Sequence, residues 1–105
     1  MLSFKNSILA DEDLISIFAY TYETWDLEQA HKYKDILEKG RLALCSDPFL
    51  IGSKSRVDLA DDCRIYRVEH HYFVYRLKNE MIEIARILHE NMDFHTNIRN
   101  EYFPL

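Results

Sequence analysis

Apolar residues in the first quarter of the chain recur at steps of three and four, which predicts an amphipathic helix. Ser7 can cap the start of this helix, and acidic residues at positions 11–13 follow near the positive end of its dipole. Residues 2–6 before it can form an edge strand. Because its stripe extends over about five turns, the helix should pack against a partner. The stripe consists of Leu14, Ile17, Phe18, Thr21, Tyr22 and Trp25.

A second helix is predicted to begin at Asp26, which forms a capping-box variant with Gln29. Gly40 lies on its apolar face and lowers helix propensity by about 1 kcal/mol, so it suggests close backbone approach between the two helices. The helix should end before Pro48, because the residue before a proline avoids the helical region. An antiparallel helical hairpin is therefore expected. The apolar face consists of Leu27, Ala30, Tyr33, Leu37, Gly40 and Leu44.

The second half of the chain contains three runs rich in β-branched and aromatic residues, at 63–69, 71–77 and 81–88. Residues 52–62 before them are polar and should be irregular, and the short connections between the runs favour antiparallel neighbours. In the last run neither alternating face is apolar throughout, which indicates either a bulge near Arg86 or a sheet partly covered on both sides. The pattern predicts an α+β domain: an N-terminal edge strand and a helical hairpin packed on a three- to four-stranded antiparallel sheet.

Composition and charge restrict the function. The 105 residues, 48% of them apolar, are enough for one small domain, and no apolar run is long enough to span a bilayer or to act as a secretory signal. Cys45 and Cys63 fit no metal-binding spacing, so buried thiols in the reducing cytoplasm are expected. Thirteen basic and eighteen acidic residues give a net charge of −5, which disfavours direct nucleic-acid binding as the main activity.

Several motifs are spread over about residues 8–98. The hairpin carries A-x-x-D-L at positions 10–14, and the sheet carries H-x-x-x-Y-R at 71–76 and I-E-I-x-R-I-L-H-x-x-M-D at 82–93. Together they resemble the ParE-type toxins of the RelE/ParE superfamily, and the last motif is the most specific because it fixes many residue types in order. The chain departs from the family at Trp25-Asp26, where Trp-Gly is common, and in a Pro48-to-Gly52 spacing one residue longer than usual.

The resemblance implies the toxin of a type II toxin–antitoxin system, which poisons DNA gyrase by binding and is neutralised by a cognate ParD-like antitoxin. We expect one toxin domain over residues 1–98 and a C-terminal tail over 99–105. No catalytic residue, cofactor, metal, membrane contact or sequence-specific nucleic-acid contact is assigned. The candidate partner-binding residues are Trp25, Arg64, Arg67, His71, Arg86, His89, Met92 and Asp93.

Two other functions remain open. Relatives of the RelE branch are ribosome-dependent mRNA endonucleases, which use basic and aromatic side chains for acid–base and oxyanion-stabilising roles. A net charge of −5 opposes docking on ribosomal RNA. A non-toxic homologue that only binds its antitoxin is the second alternative. The residues available for the endonuclease reaction are Arg64, Tyr75, Arg86 and His89.

Purely structural roles also fit the charged and aromatic candidates. Arg64 and Arg86 can form cross-strand ion pairs with acids at positions 69, 83 or 93. A hydrogen bond between His89 and Asp93 can fix the turn after the last strand, and core packing is the simplest role for Tyr22 and Trp25.

The remaining histidines offer no clear chemical site. His89, Asp93 and His95 match no standard metal-ligand spacing. His70 and His71 are adjacent in a strand and should face opposite ways, with His71 packed in the sheet. His31 is expected to be solvated.

Overall fold

A helical hairpin lies on one face of a five-stranded sheet in the computed structural model, which describes residues 1–98. Strand β1 is parallel to β5, and the other neighbours in the order β1-β5-β4-β3-β2 are antiparallel. The predicted α+β class is confirmed, and the predicted tail, 99–105, lies outside the described residues. The elements are β1 (Ser3–Asn6), α1 (Ile8–Thr24), α2 (Leu27–Ser46), β2 (Ser53–Ser55), β3 (Arg64–Val68), β4 (His71–Lys78), β5 (Met81–His89) and α3 (Phe94–Asn97).

The boundaries of both long helices follow local sequence signals. The Ser7 hydroxyl accepts a hydrogen bond from the backbone N–H of Ala10 and donates one to the carbonyl of Ala85, which attaches the start of α1 to β5. Asp26 accepts from the N–H of Gln29, and α2 ends at Ser46, two residues before Pro48. These predicted caps are confirmed. Within residues 1–98, neither long helix has the length and apolar content needed to cross a bilayer.

The sheet has one strand more than the sequence indicated. The segment that was expected to be irregular contains β2, whose residues Ser53–Ser55 pair with Arg64–Tyr66 of β3. Three residues, all of them polar, are too short a stretch to show an alternating pattern. This strand forms because β3 presents free backbone groups beside it.

A bulge lies in β5 at the position where the sequence indicated a break in parity. Val74 of β4 is opposite Arg86, whereas the next residue, Tyr75, is opposite Ile84, so Ala85 is the extra residue. The bulge lets β5 supply apolar side chains to both faces of the sheet. Both predicted alternatives therefore hold, because the sheet is also covered on both sides.

Two separate hydrophobic cores result. The front core lies between the sheet and the helices, and the back core lies under residues 56–63 and α3. Cys45 belongs to the front core and Cys63 to the back core, and both are buried free thiols, as predicted. The front core consists of Ala10, Leu37, Leu44, Cys45, Phe73, Tyr75, Ile82, Ile84 and Ile87. The back core consists of Leu59, Ala60, Cys63, Ile65, Val74, Ala85, Leu88 and Ile98.

Two expectations about the helices are wrong. Gly40 approaches the sheet and not α1, since a Cβ atom there would lie 2.5 Å from Cγ2 of Val68 in β3. At the hairpin tip Tyr22, Trp25 and Leu27 are 53%, 73% and 51% exposed. The spacing of apolar residues at three and four positions continues past the last helical turn that the sheet covers. Periodicity alone therefore assigns these three side chains to the core, although they lie beyond it.

Candidate functional site

An apolar groove of about 370 Å³ lies between the two long helices. Helix α1 packs on β1 and β5, and helix α2 packs on β3. Strand β4 therefore lies between the strands that the two helices contact. Phe73 of β4, together with Ala30 and Leu37 of α2, forms the buried floor. The groove therefore results from the order of the strands.

The two walls of the groove differ in chemistry. The wall from α1 is almost entirely apolar. Its most exposed residue is Ile15, which is 69% exposed. The wall from α2 also carries polar residues, which recur at steps of three, four and three along one line of the helix, over about 15 Å. The α1 wall consists of Leu14, Ile15, Ile17, Phe18 and Thr21. The polar line on α2 consists of His31, Lys34, Glu38 and Arg41.

All four side chains of the polar line on α2 have defined contacts. His31 is exposed, as predicted, and its ring also packs edge-on against Phe18 with centroids 5.3 Å apart. Lys34 pairs with Glu38 at 3.5 Å. Cζ of Arg41 lies 4.0 Å from the centre of the Phe4 ring, and Nε of Arg41 is buried without a hydrogen-bond partner.

A second exposed apolar surface borders the end of the sheet at β2. Phe49, Ile51 and Val57 are all exposed there. The Arg64 guanidinium lies 4.9 Å from the centre of the Phe49 ring and donates a hydrogen bond to the Ser53 hydroxyl. Strand β2 has a neighbour on one side only, so its outer edge is open for pairing among the residues described.

His71 is held between α2 and β5. The Tyr33 hydroxyl oxygen accepts a hydrogen bond from the backbone N–H of His70. The hydroxyl proton of Tyr33 can therefore be donated to Nδ1 of His71, which lies 2.6 Å from the Tyr33 oxygen. The rings of His71 and His89 meet edge-on with centroids 5.2 Å apart. Burial, and to a smaller extent the neighbouring His89 and His70, lower the pKa of His71 from 6.5 to about 4. His71 is therefore a neutral packing group near pH 7, as the sequence indicated.

The neighbouring histidine is on the surface. His70 is exposed and lies 2.6 Å from Glu90, which also binds Arg67 at 2.6 Å. The hydrogen bond from His70 is the main reason that the pKa of Glu90 is lowered. His70 and His71 thus make separate contacts, as expected for adjacent strand residues.

The predicted ion pairs of the arginines are wrong. Arg86 makes two 2.9 Å hydrogen bonds to Asp13 of α1 and donates to the Asn97 carbonyl at 3.3 Å. Glu83 pairs instead with Arg76 inside the sheet. For Arg64, no ion pair occurs within residues 1–98.

Three local hydrogen bonds, and not the predicted one between His89 and Asp93, fix the turn after β5. Nδ1 of His89 accepts from the N–H of Asn91 at 3.2 Å. Asp93 caps α3 by accepting from the N–H of His95 and from the hydroxyl of Thr96. His89 and Asp93 each accept hydrogen bonds from residues next to them in the chain and not from one another, because the backbone N–H groups of a turn are free to donate to nearby side chains.

Arg64 and Tyr75 are opposite each other on β3 and β4, but the four residues considered for an endonuclease reaction do not form one accessible group. Tyr75 is fully buried and donates its hydroxyl proton to the Pro48 carbonyl, and Arg86 is bound to Asp13. His89 pairs with residue 71 of β4, four positions from Tyr75. In the part of the chain that is described, no group of three His, Cys, Asp or Glu side chains could hold a metal ion.

The sequence interpretation missed the groove. Ile15 was outside the predicted stripe, and Arg41 was not singled out at all. The available signal was the width of the apolar sector on α1, because Leu14, Ile15, Ile17 and Phe18 together cover more of the helix circumference than one sheet contact requires.

The comparisons with known proteins agree with this architecture. A sequence model of the family described as "ParE toxin of type II toxin-antitoxin system, parDE" matches residues 7–94. No curated protein matches the sequence. A solved structure of the chromosomal ParDE TA system from P. aeruginosa contains a similar chain, with a TM-score of 0.72 and 22% identity. The match covers 85% of this chain and 96% of that chain, and at this identity it shows a shared fold.

Proposed function

The chain belongs to the ParE family of type II toxins, and from that premise we propose that it poisons DNA gyrase by binding and that a ParD-like antitoxin holds it inactive. The observation that carries the antitoxin part is the groove between α1 and α2, which residues 1–98 leave uncovered. Contiguous apolar surfaces of this kind on a small domain mark partner sites, because leaving them in water is unfavourable.

The groove fits one face of an amphipathic helix. Its polar line on α2 extends over about three helical turns, and its volume of about 370 Å³ suits roughly three large apolar side chains. In a helix such side chains recur at steps of three and four, which is the anchor spacing of helix-in-groove recognition. An antitoxin segment of this kind would bury the floor residues Phe73 and Leu37.

The open edge of β2 offers the same partner a second contact. An extended stretch of the antitoxin can pair with the free backbone groups of Ser53–Ser55 and cover the exposed Ile51 and Phe49. A disordered tail loses about 2–5 kcal/mol on ordering. Contact with both the groove and the edge would provide an interface above the standard area of about 1,600 Å² that offsets this loss.

Two of the predicted partner-binding residues are suited to contact with gyrase. Trp25 at the hairpin tip is 73% exposed and Met92 after β5 is 48% exposed. Tryptophan is enriched among the residues that dominate binding energy, and methionine adapts to irregular surfaces. The remaining candidates already make contacts within the domain.

A mechanism by binding, without catalysis, is the form of toxicity that the side chains support. Arg64 and Tyr75 are opposite each other on β3 and β4, but Tyr75 is inaccessible to a substrate, and His89 lies opposite residue 71 of β4, four positions from Tyr75. The net charge of −5 also opposes docking on ribosomal RNA.

Purified protein incubated with gyrase, ATP and supercoiled plasmid tests the proposal. Poisoning should yield linear DNA, because the cleaved intermediate is trapped, and adding the antitoxin should prevent it. Unchanged DNA topology together with codon-specific mRNA cleavage on ribosomes would instead establish the RelE-type activity. Unchanged DNA and mRNA, with antitoxin binding intact, would identify a non-toxic homologue.

Substitution in the groove tests the antitoxin site separately. Ile15→Glu places a charge on the exposed apolar wall, and we expect at least a tenfold loss of antitoxin affinity, about 1.4 kcal/mol. Ser16→Glu adds the same charge at the next exposed position outside the groove, and it should bind as the wild type does. Equal affinities of the two variants in calorimetric titrations would move the antitoxin site elsewhere.

A further inference from the structure

We propose that Arg41 selects for charge in the groove, by binding a carboxylate on the flank of an amphipathic helix of the antitoxin. This inference rests on the proposed antitoxin site and names the chemistry of the segment that the site takes. Arg41 lines the groove on the α2 side.

Within residues 1–98, Arg41 makes a stacking contact and no hydrogen bond. The guanidinium stacks on Phe4 with Cζ 4.0 Å from the ring centre, and its buried Nε has no hydrogen-bond partner. Within residues 1–98, no acidic side chain pairs with Arg41. A guanidinium has five N–H donors in one plane, and stacking on a ring leaves that plane open to a carboxylate. The terminal N–H donors of Arg41 are thus available to a carboxylate that residues 1–98 do not supply.

The other charges along the same line of α2 are compensated. Lys34 and Glu38 are one turn apart and pair with each other at 3.5 Å. Their exposed side chains form a weak, solvent-screened contact. Arg41 is therefore the unpaired cation among the groove-lining residues that the structure describes.

The charges of the two helices orient the ligand. Helix α1 has four acidic and no basic residues, whereas α2 has four basic and three acidic residues. A negatively charged flank is repelled from α1 and attracted to α2. A helix in the groove would therefore turn its acidic flank toward Arg41 and its apolar face toward the floor. This asymmetry also opposes binding with the flanks reversed.

Peptide binding tests the role of Arg41 with defined probes. Three helical peptides share leucines at steps of three and four and differ in one flank, which carries Glu, Gln or Lys. The complete wild-type chain should bind the Glu peptide about tenfold more tightly than the Gln peptide, measured by fluorescence anisotropy at low salt. It should bind the Lys peptide most weakly.

Variants of the chain separate a direct role from a structural one. Arg41→Gln should abolish the preference and keep the affinity for the Gln peptide, and Arg41→Glu should shift the preference to the Lys peptide. Lys39→Gln removes the same charge from an exposed position of α2 outside the groove and should keep the wild-type preference. Thermal melts of each variant check the fold.

Each contrary result has a distinct meaning. Equal binding of all three peptides by the wild type, or a preference that survives Arg41→Gln, would overturn the role of Arg41 and leave the groove as a receptor. The same loss in Lys39→Gln would assign the preference to overall charge. Binding of none of the peptides would overturn the inference together with helical docking in the groove, while the gyrase assay would still stand as an independent test of toxicity.

Discussion

Arg86 lies in the most specific motif of the sequence, yet its side chain serves the fold. Its two hydrogen bonds to Asp13 join β5 to α1, and its contact with the Asn97 carbonyl joins β5 to α3. Asp13 also accepts from the backbone N–H of Ile87, beside the bulge. Since Arg86 and Asp13 are only 15% and 16% exposed, the pair is partly desolvated, and either charge alone would be unfavourable.

Replacing Arg86 should therefore lower the stability of the domain. We expect Arg86→Ala to reduce the free energy of unfolding by about 2–4 kcal/mol, because Asp13 would keep a buried charge without its partner. Urea denaturation measures this loss. Lys34→Ala breaks the exposed pair with Glu38 and should change the free energy by less than about 1 kcal/mol. An equally small effect of Arg86→Ala would show that its pair contributes no more than a surface contact.

His71 should make stability depend on pH. Its pKa is about 4 in the folded protein and near 6.5 in the unfolded chain, so the unfolded chain takes up the proton first as pH falls. The stability from neutral His71 is complete above pH 6.5 and is lost progressively as pH falls toward about 4. This loss amounts to about 2–3 kcal/mol.

His71→Gln removes the titrating group and should flatten the decline in stability between pH 6.5 and 4, as measured by urea denaturation at several pH values. His31→Gln, at an exposed position, serves as the matched control and should retain the slope of the wild type. A slope that is the same for His71→Gln and the wild type would assign the pH dependence to other groups.

At the scale of elements, the contact between α2 and β3 depends on a missing side chain. A Cβ atom at Gly40 would lie 2.5 Å from Cγ2 and 3.2 Å from Cγ1 of Val68. Valine has one strongly preferred rotamer, and both of its methyl groups are close, so rotation gives little relief. Gly40 lets the helix lie near the sheet at the expense of helix propensity.

Gly40→Ala should therefore destabilise the domain, although alanine favours helices. Overpacking costs about 1–3 kcal/mol and the gain in helix propensity is about 1 kcal/mol, so we expect a net loss of up to about 2 kcal/mol. In a Val68→Ala background the clash is absent, and the same substitution should stabilise by up to about 1 kcal/mol. Urea denaturation of the four proteins measures the change in the free energy of unfolding. If Gly40→Ala changes it in the same direction in both backgrounds, the contact with Val68 is not the cause.

At the scale of the whole molecule, the sheet separates two cores with unequal cover. The helices over the front core have 17 and 20 residues, whereas α3, which helps cover the back core, has four. Within the cover of the back core, Asp58 contacts Arg56 at 3.0 Å and His95 of α3 at 3.3 Å, so these surface contacts join parts of the cover to each other and not to the sheet. Regions with few contacts to the rest of a domain open locally at lower free energy than the remainder.

The two cysteines report on this difference. Burial raises the pKa of Cys63 to about 11 and also raises that of Cys45, so neither thiol should react until its core opens. We expect Cys63 to react at least about tenfold faster with a thiol reagent in mild urea, because the back core opens first. Single-thiol variants, Cys45→Ala and Cys63→Ala, allow each rate to be measured. Equal rates would indicate one cooperative unit.

Local signals determined most of the fold. The caps at Ser7 and Asp26, the stop before Pro48 and the three β-rich runs involve interactions within a few residues, so they are visible in the order of amino acids. The motif that ends at Asp93 also identified the family correctly. The parity break in the last run correctly located the bulge, because alternation is a property of a single strand.

Long-range packing decided the rest. Strand β2 exists because β3 lies beside it, Gly40 approaches Val68 and not α1, and Arg86 binds an acid 73 positions away. The groove depends on the order of the strands, because β4 lies between the strands that α1 contacts and the strand that α2 contacts. The sequence alone determined which faces are apolar. The tertiary structure decided which of those faces are covered, because coverage depends on which distant segments meet.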